Sequence, residues 1–161
     1  MTILVTGDDG IFAEGLWTLV RELKRSFDVI VVAADRKQNA VGTATTVDRP
    51  IRAHKVKLEP EVETWAVEGT PCDSIFLAVH KLAKGRIDLV LSGINEGSNQ
   101  DGDVVNSGTV AAAFTAYLCG LPAVAISQDL GNNQYWGTAA KLGLLLAKYV
   151  NSGVLLPNIC L

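Results

Sequence analysis

A chain of 161 residues with a net charge of −3, 48% hydrophobic and 19% charged, has the make-up of one globular domain, able to bury roughly two-thirds of its unfolded surface. The acidic balance and the lack of a basic stripe exclude a nucleic-acid coat, so any nucleotide partner should be small. The longest apolar run, Leu142 to Val150, is broken by Lys148 and is too short to span a bilayer.

The chain opens on a strand-like run without the charged-then-apolar layout of a signal peptide. Cys72, Cys119 and Cys160 are widely spaced in apolar surroundings, with neither disulfide nor zinc spacing. They read as reduced core residues of a cytoplasmic protein.

Short apolar runs alternate with helical periodicity, which predicts an α/β fold. Thr2 to Thr6 and Asp28 to Ala34 are buried strands. Between them Leu16, Leu19, Val20 and Leu23 recur at i, i+3, i+4, i+7, one apolar face of a helix. A strand–helix–strand unit of this kind implies parallel strands. From Gly42 to Val67 the texture shifts to short, partly alternating segments, and Ile51 to Leu58 and Thr64 to Val67 are expected as antiparallel or edge strands. Thr70-Pro71-Cys72-Asp73 reads as a helix start, with Thr70 as N-cap and Pro71 at the first position. Ile75, Ala78, Val79 and Leu82 would form its buried face.

Ile87 to Leu91 is a further strand, and Asn95 to Asn106 a polar loop. A small-residue helix from about Thr109 to Cys119 stops at Gly120 and Pro122. Ala123 to Ser127 is the next strand and Thr138 to Val150 the last clear helix. Pro157 to Leu161 begins like a strand and stops, which on the residues alone fits a missing C-terminal continuation and a frayed native terminus equally.

In an open parallel sheet, ligands sit beyond the carboxyl ends of the strands, and three polar clusters fall at such ends. Thr6-Gly7-Asp8-Asp9-Gly10 stands where a dinucleotide fold would place a glycine-rich loop, but the glycine spacing is wrong. Two carboxylates ~4 Å apart repel by about 4 kcal/mol at an effective dielectric of 20, and a divalent cation would relieve this. Taken alone, the pair serves equally as a cap for the following helix. In the second cluster, Ser92 to Asp103, Asn95 and Asn99 offer amide oxygens to a metal and amide donors to a phosphate. In the third, Ser107-Gly108-Thr109 opens the small-residue helix, whose free N–H groups suit an anion; Ser107 could equally be a plain N-cap. Asn39, after the second strand, could lend an oxygen to the same metal. His54 and His80 sit in no motif and read as structural.

In this order the clusters resemble the SurE family of survival-protein nucleotidases along nearly the whole chain. The resemblance rests on Gly7-Asp8-Asp9-Gly10, on Ala34-Asp35-Arg36 through Gly42, and on Gly69-Thr70-Pro71-Cys72-Asp73. It rests most on Asp88 through Asn99, continued by Asp103 and Ser107 to Ala112. It implies a Rossmann-like, mostly parallel sheet between helices, a three-layer sandwich forming one domain over residues 1–161, with the family's C-terminal part beyond it.

The resemblance also implies one divalent cation, Mg²⁺ or Mn²⁺, held by Asp8, Asp9, Asn39 and Asn95. Asp8 and Asp9 would be catalytic, and Asn99, Ser107, Gly108 and Thr109 would bind phosphate. The expected activity is metal-dependent hydrolysis of nucleoside 5′- and 3′-monophosphates, with short polyphosphate as a side substrate, in a homodimer or homotetramer. The chain departs from the family at Gly7 (usually Asn), Ala34 (commonly Pro), Asn39 (Ser) and Asn106 (often Tyr). At Asp101-Gly102 it inverts the common Gly-then-acid order. Two alternatives stand beside this expectation. One is a nucleotide-binding module without turnover; the other is a nicotinamide-dependent oxidoreductase, which the acidic first loop disfavours.

Overall fold

The computed structural model describes residues 1–129, 131, 135–155 and 158–161. Five-residue β1 (Thr2–Thr6) leads through α1 (Glu14–Leu23) to β2 (Asp28–Ala34), and β3 (Ala53–Val56) and β4 (Glu63–Val67) follow. Next come α2 (Pro71–Leu77), β5 (Leu89–Glu96), the single turn α3 (Asp103–Asn106), α4 (Gly108–Leu118), β6 (Ala123–Gln128) and α5 (Gly137–Asn151).

The six strands form one sheet in the order β3-β4-β2-β1-β5-β6. All neighbours are parallel except β3, which runs antiparallel on the outer side of β4. β1 is central, and the chain moves outward first through β2 and then, after crossing back, through β5. The order therefore reverses between β1 and β5, the place where an open sheet leaves a crevice at its carboxyl edge.

Alternation along β1 divides the core in two. Ile3 and Val5 join Leu16, Leu19, Leu23, Val31, Leu91 and Ile126 under α1 and α5. Leu4 points the other way, with Ile30, Val32, Val67, Ile75 and Val90, under α2 and α4. Burial on both faces explains why the central strands read as unbroken apolar runs. The alanines of α4, Ala112, Ala113 and Ala116, are fully buried, and their short side chains let that helix lie close to the sheet.

Several expectations need correction. Thr64 to Val67 pairs antiparallel with β3, as expected, but lies inside the sheet with β2 parallel on its other side; of the two segments only β3 is at an edge. The helix begun at Pro71 widens after Leu77 into a π turn over Ala78–Leu82, closed by a bond from the Ala83 N–H to the Ala78 carbonyl. The segment from Asn95 to Asn106 is not all loop: it holds the end of β5 and the turn α3. Of the cysteines only Cys72 is a core residue, since Cys119 is half-buried and Cys160 exposed.

Pro157 lies outside the described residues, but Ile159 and Leu161 pair with β6, where Ala123 and Ala125 donate to their carbonyls. Among the described residues no helix is long and apolar enough to cross a membrane.

Candidate active site

The carboxyl ends of β1 and β2 are tied together by backbone. Ile11 N–H donates to the Ala34 carbonyl and Gln38 N–H to the Asp8 carbonyl, at 2.8 and 2.7 Å. This packs the loop carrying Asn39 against the loop carrying the acidic pair. A second tie comes from Asp73, which is 2% exposed. It closes a capping box with Thr70 at the start of α2 and also accepts from the Thr46 N–H at 2.9 Å and the Thr46 hydroxyl at 2.8 Å. Gly42 N–H then donates to the Asn106 carbonyl. The loop after β2 is thus held from β1, α2 and α3 at once.

At the reversal point, Asp8, Asn39, Asn95, Asn99 and Ser107 line a single cavity of about 270 Å³, together with Asp103 and Asn106. A larger cleft of about 750 Å³, lined by Thr2, Lys24, Glu63 and Arg86, lies at the amino ends of the strands. Its basic groups are already paired, Lys24 with Glu59 and Arg86 with Glu63. The smaller cavity is the one that gathers carboxylate, amide and hydroxyl groups of convergent chemistry, so chemistry, not size, selects it.

Asp8 is buried, at 4% exposure. Its Oδ1 accepts from the Thr109 hydroxyl, and the Thr109 N–H is also turned toward the carboxylate. Asp8 therefore faces the N-terminus of α4, across the crevice. The alternative that Asp8 or Asp9 caps α1 is not what forms, because Ala13 stands at that cap without a side-chain bond.

Asp9 bridges two segments. Its Oδ2 accepts from the Glu96 N–H at 2.8 Å, and its Oδ1 pairs with the Lys37 ammonium at 2.8 Å. Ser107 caps α4, accepting from the Val110 N–H at 3.2 Å. Thr109, offered by the sequence as a phosphate donor, has its hydroxyl committed to Asp8. Gly108 lies between the two, directly against the Asp8 side chain.

A bulge re-aims the end of β5. The pairing with β6 shifts between Gly93 and Asn95, and Gly93 has φ 135°, open in practice only to glycine. The bulge delivers Asn95 to the cavity. There its amide group donates to the Gly97 carbonyl at 3.0 Å, which leaves its oxygen uncommitted among the described residues. Asn99 is likewise held by its amide group, donating to the Ser127 hydroxyl at 2.6 Å.

His54 and His80 are exposed and away from the cavity; His80 stacks on Phe76 with ring centroids 6.3 Å apart. Sequence reasoning gave no role to Lys37 or to the Glu96 N–H. The signal for Lys37 was its place between Arg36 and Asn39, in a loop at a strand's carboxyl end.

Burial is the main reason that the Asp8 carboxyl titrates above its ordinary 3.8; the Thr109 hydroxyl opposes this and the Asp9 charge adds to it. The folded protein thus holds this proton more tightly than the unfolded chain. The stabilising contribution is full below the unfolded value and is lost as pH rises through the raised folded one. Asp8→Asn is accordingly expected to raise the thermal midpoint of the metal-free protein at neutral pH, with the gain over wild type shrinking toward acid. Calorimetry of both proteins across that range checks this; a neutral-pH midpoint unchanged by the substitution would show that the ionised carboxylate carries no such penalty.

These features define a class: a doubly wound α/β domain with an acidic, amide-lined cavity at its switch point. Comparison with known proteins makes the class specific. The model of the family described as survival protein SurE matches residues 3–159, and the chain belongs to that family.

A protein named 5′-nucleotidase SurE from Dehalococcoides mccartyi is 49% identical over 161 residues, covering 98% of this chain and 61% of the relative. A second from the same species is 52% identical over 128 residues, covering 79% and 48%. The crystal structure of the SurE protein from Aquifex aeolicus superposes with a TM-score of 0.83 at 35% identity, over 94% of this chain and 60% of that one. The chain therefore spans about half to three-fifths of the length of the relatives it matches.

Proposed function

We propose that this chain carries the active site of a metal-dependent phosphomonoesterase that hydrolyses nucleoside 5′- and 3′-monophosphates, with short polyphosphate as a side substrate. The observation that carries the reading is the convergence of Asp8, Asn39, Asn95, Asn99 and Ser107 on one cavity at the switch point. The relatives' name, 5′-nucleotidase, supports it from outside.

The residues fit a single hard cation. Among the described residues no three His, Cys, Asp or Glu side chains surround a common point; the proposed donor set is Asp8, Asn39 and Asn95, which line the cavity, with Asp9, which does not line it, beside Asp8 and Asn95. All four are oxygen donors, the chemistry that Mg²⁺ and Mn²⁺ prefer over zinc's sulfur and nitrogen. The crowding of Asp8 by burial and by Asp9 is the electrostatic debt that such a cation would cancel. When bound, the cation would polarise a phosphate oxygen and orient water.

The chain's own residues do the rest. Ser107, Gly108 and Thr109 bring the start of α4 to the phosphate, where backbone N–H groups offset charge on its oxygens. Asn99, held by Ser127, orients the ester from the other wall. One carboxylate of the Asp8–Asp9 pair would receive the proton that water loses as its oxygen bonds to phosphorus, and would return it to the nucleoside oxygen released when the ester P–O bond breaks. A volume of about 270 Å³ falls just below the usual range for small-molecule sites and suits a phosphoryl group with its attached sugar. The same reading has the protein working in the cytoplasm as a homodimer or homotetramer.

The test is phosphate release from nucleoside monophosphates and from p-nitrophenyl phosphate with Mn²⁺, repeated after chelation. Release that requires Mn²⁺ is the expected result. No metal-dependent release from folded protein would sink the enzyme reading, and tight nucleotide binding without release would replace it with that of a binding module.

A further inference from the structure

We infer that Lys37 is a built-in counter-cation of the acidic pair, which a divalent ion must displace from Asp9, so that this side chain sets the metal affinity of the site. The inference rests on the metal reading above and concerns a residue that reading leaves without a role.

Asp9 Oδ2 accepts from the Glu96 N–H at 2.8 Å, while Oδ1, buried and without a well-directed hydrogen bond, is in ionic contact with the Lys37 ammonium at 2.8 Å. A divalent cation on Asp9 would stand close to the Lys37 ammonium, and two positive charges at that range repel strongly. The Glu96 N–H is fixed in the backbone at the end of β5, whereas Lys37 carries its charge on a flexible four-carbon stem. The ammonium is therefore the partner that yields.

Its backbone, by contrast, does not need to move. The loop is pinned by the Gln38 N–H on the Asp8 carbonyl. It also lies so close to Gly10 that a Cβ there would stand 2.9 Å from the Arg36 carbonyl carbon and 3.1 Å from the Lys37 nitrogen. Only the side chain exchanges.

The exchange has a destination. Glu96 Oε2 lies 3.9 Å from the same ammonium and is half-exposed, while the Asp9 side chain is only 10% exposed. A displaced Lys37 moves from the deep carboxylate to the shallow one, keeping a partner while a doubly charged ion takes its place. In the metal-free protein Lys37 offsets part of the Asp8–Asp9 repulsion; in the loaded protein it leaves a positive charge at the rim. Its role is that of a positioning residue.

Mn²⁺ titration of the full chain by calorimetry, on wild type, Lys37→Gln and Arg36→Gln, tests this. Arg36 is the control for general charge: it is the next residue, is exposed, and pairs with Asp35 instead. Lys37→Gln is expected to tighten the Mn²⁺ Kd roughly three- to tenfold, and Arg36→Gln to leave it within about twofold of wild type. Lys37→Gln should also lower the thermal midpoint of the metal-free protein while matching wild type at saturating Mn²⁺.

Unchanged or weakened binding in Lys37→Gln overturns the inference alone, as does equal tightening in both variants. No Mn²⁺ binding by any of the three proteins overturns the metal reading and this inference with it.

Discussion

Asp9→Asn is expected to lower nucleotide turnover by roughly a thousandfold, the order lost when one preorganised electrostatic contact is removed from a transition state, while leaving the fold in place. The substitution separates shape from charge. An asparagine oxygen can still accept the Glu96 N–H that links the ends of β1 and β5, so no backbone donor is orphaned. What disappears is the negative charge, and with it half of the formal charge that Asp8 and Asp9 offer a cation. Steady-state kinetics at saturating Mn²⁺, beside a thermal midpoint and circular dichroism, check both halves. Unchanged turnover would place the metal site elsewhere. Asp9→Ala is the less informative variant, because it also leaves the Glu96 N–H without its acceptor and mixes a structural loss with the chemical one.

The elements that the sequence predicted best are those whose signal is local. The apolar run of β2 and the i, i+3, i+4, i+7 face of α1 were legible because burial on both sheet faces, and on one helix face, writes itself directly into residue type. Thr70-Pro71-Cys72-Asp73 was legible for the same reason: a capping box is closed within one turn. The rank of a strand in the sheet is not local. Thr64 to Val67 carries an ordinary alternating texture, and nothing in it says that β2 lies on one side and β3 on the other.

The site shows the same division. Asp8, Asn39, Asn95, Asn99 and Ser107 could be nominated from strand ends and chemistry, and they do meet in one cavity. The bonds that set their state could not. Thr109 reaches Asp8 across 101 positions, and Thr46 reaches Asp73 across 27. Contacts of that span depend on the finished topology. One local signal had a meaning visible only in three dimensions. Asp101 has φ 48°, the left-handed region that glycine enters without strain, at the position where the chain inverts the family's Gly-then-acid order.

Gly108→Ala is expected to destabilise the protein by about 1–3 kcal/mol and to depress turnover well beyond what that loss explains. Helix propensity alone argues the opposite, since alanine outranks glycine within a helix by up to about 1 kcal/mol. Sterics decide the sign. A Cβ on Gly108 would stand 2.8 Å from the Asp8 Cβ, 3.0 Å from its Oδ2 and 3.1 Å from Pro71 Cγ. None of these can retreat cheaply. Asp8 is buried and holds the Thr109 hydroxyl, and Pro71 is the rigid first residue of α2. The strain therefore falls on the separation of Asp8 from the start of α4, the two walls between which a phosphate and its metal would sit, and displacement of the order of 1 Å can cost about a hundredfold in rate.

Gly102→Ala is the matched control. It lies in the same segment at φ −66°, with nothing within 4 Å of an added Cβ, and should leave both stability and turnover at wild-type levels. Urea unfolding and kcat for the two variants measured side by side give the answer. A Gly108→Ala protein as stable and as active as Gly102→Ala would mean that the close approach of Asp8 to α4 is dispensable. A protein that folds well but has lost turnover would show that this glycine is kept for the spacing of the site and not for the helix it begins.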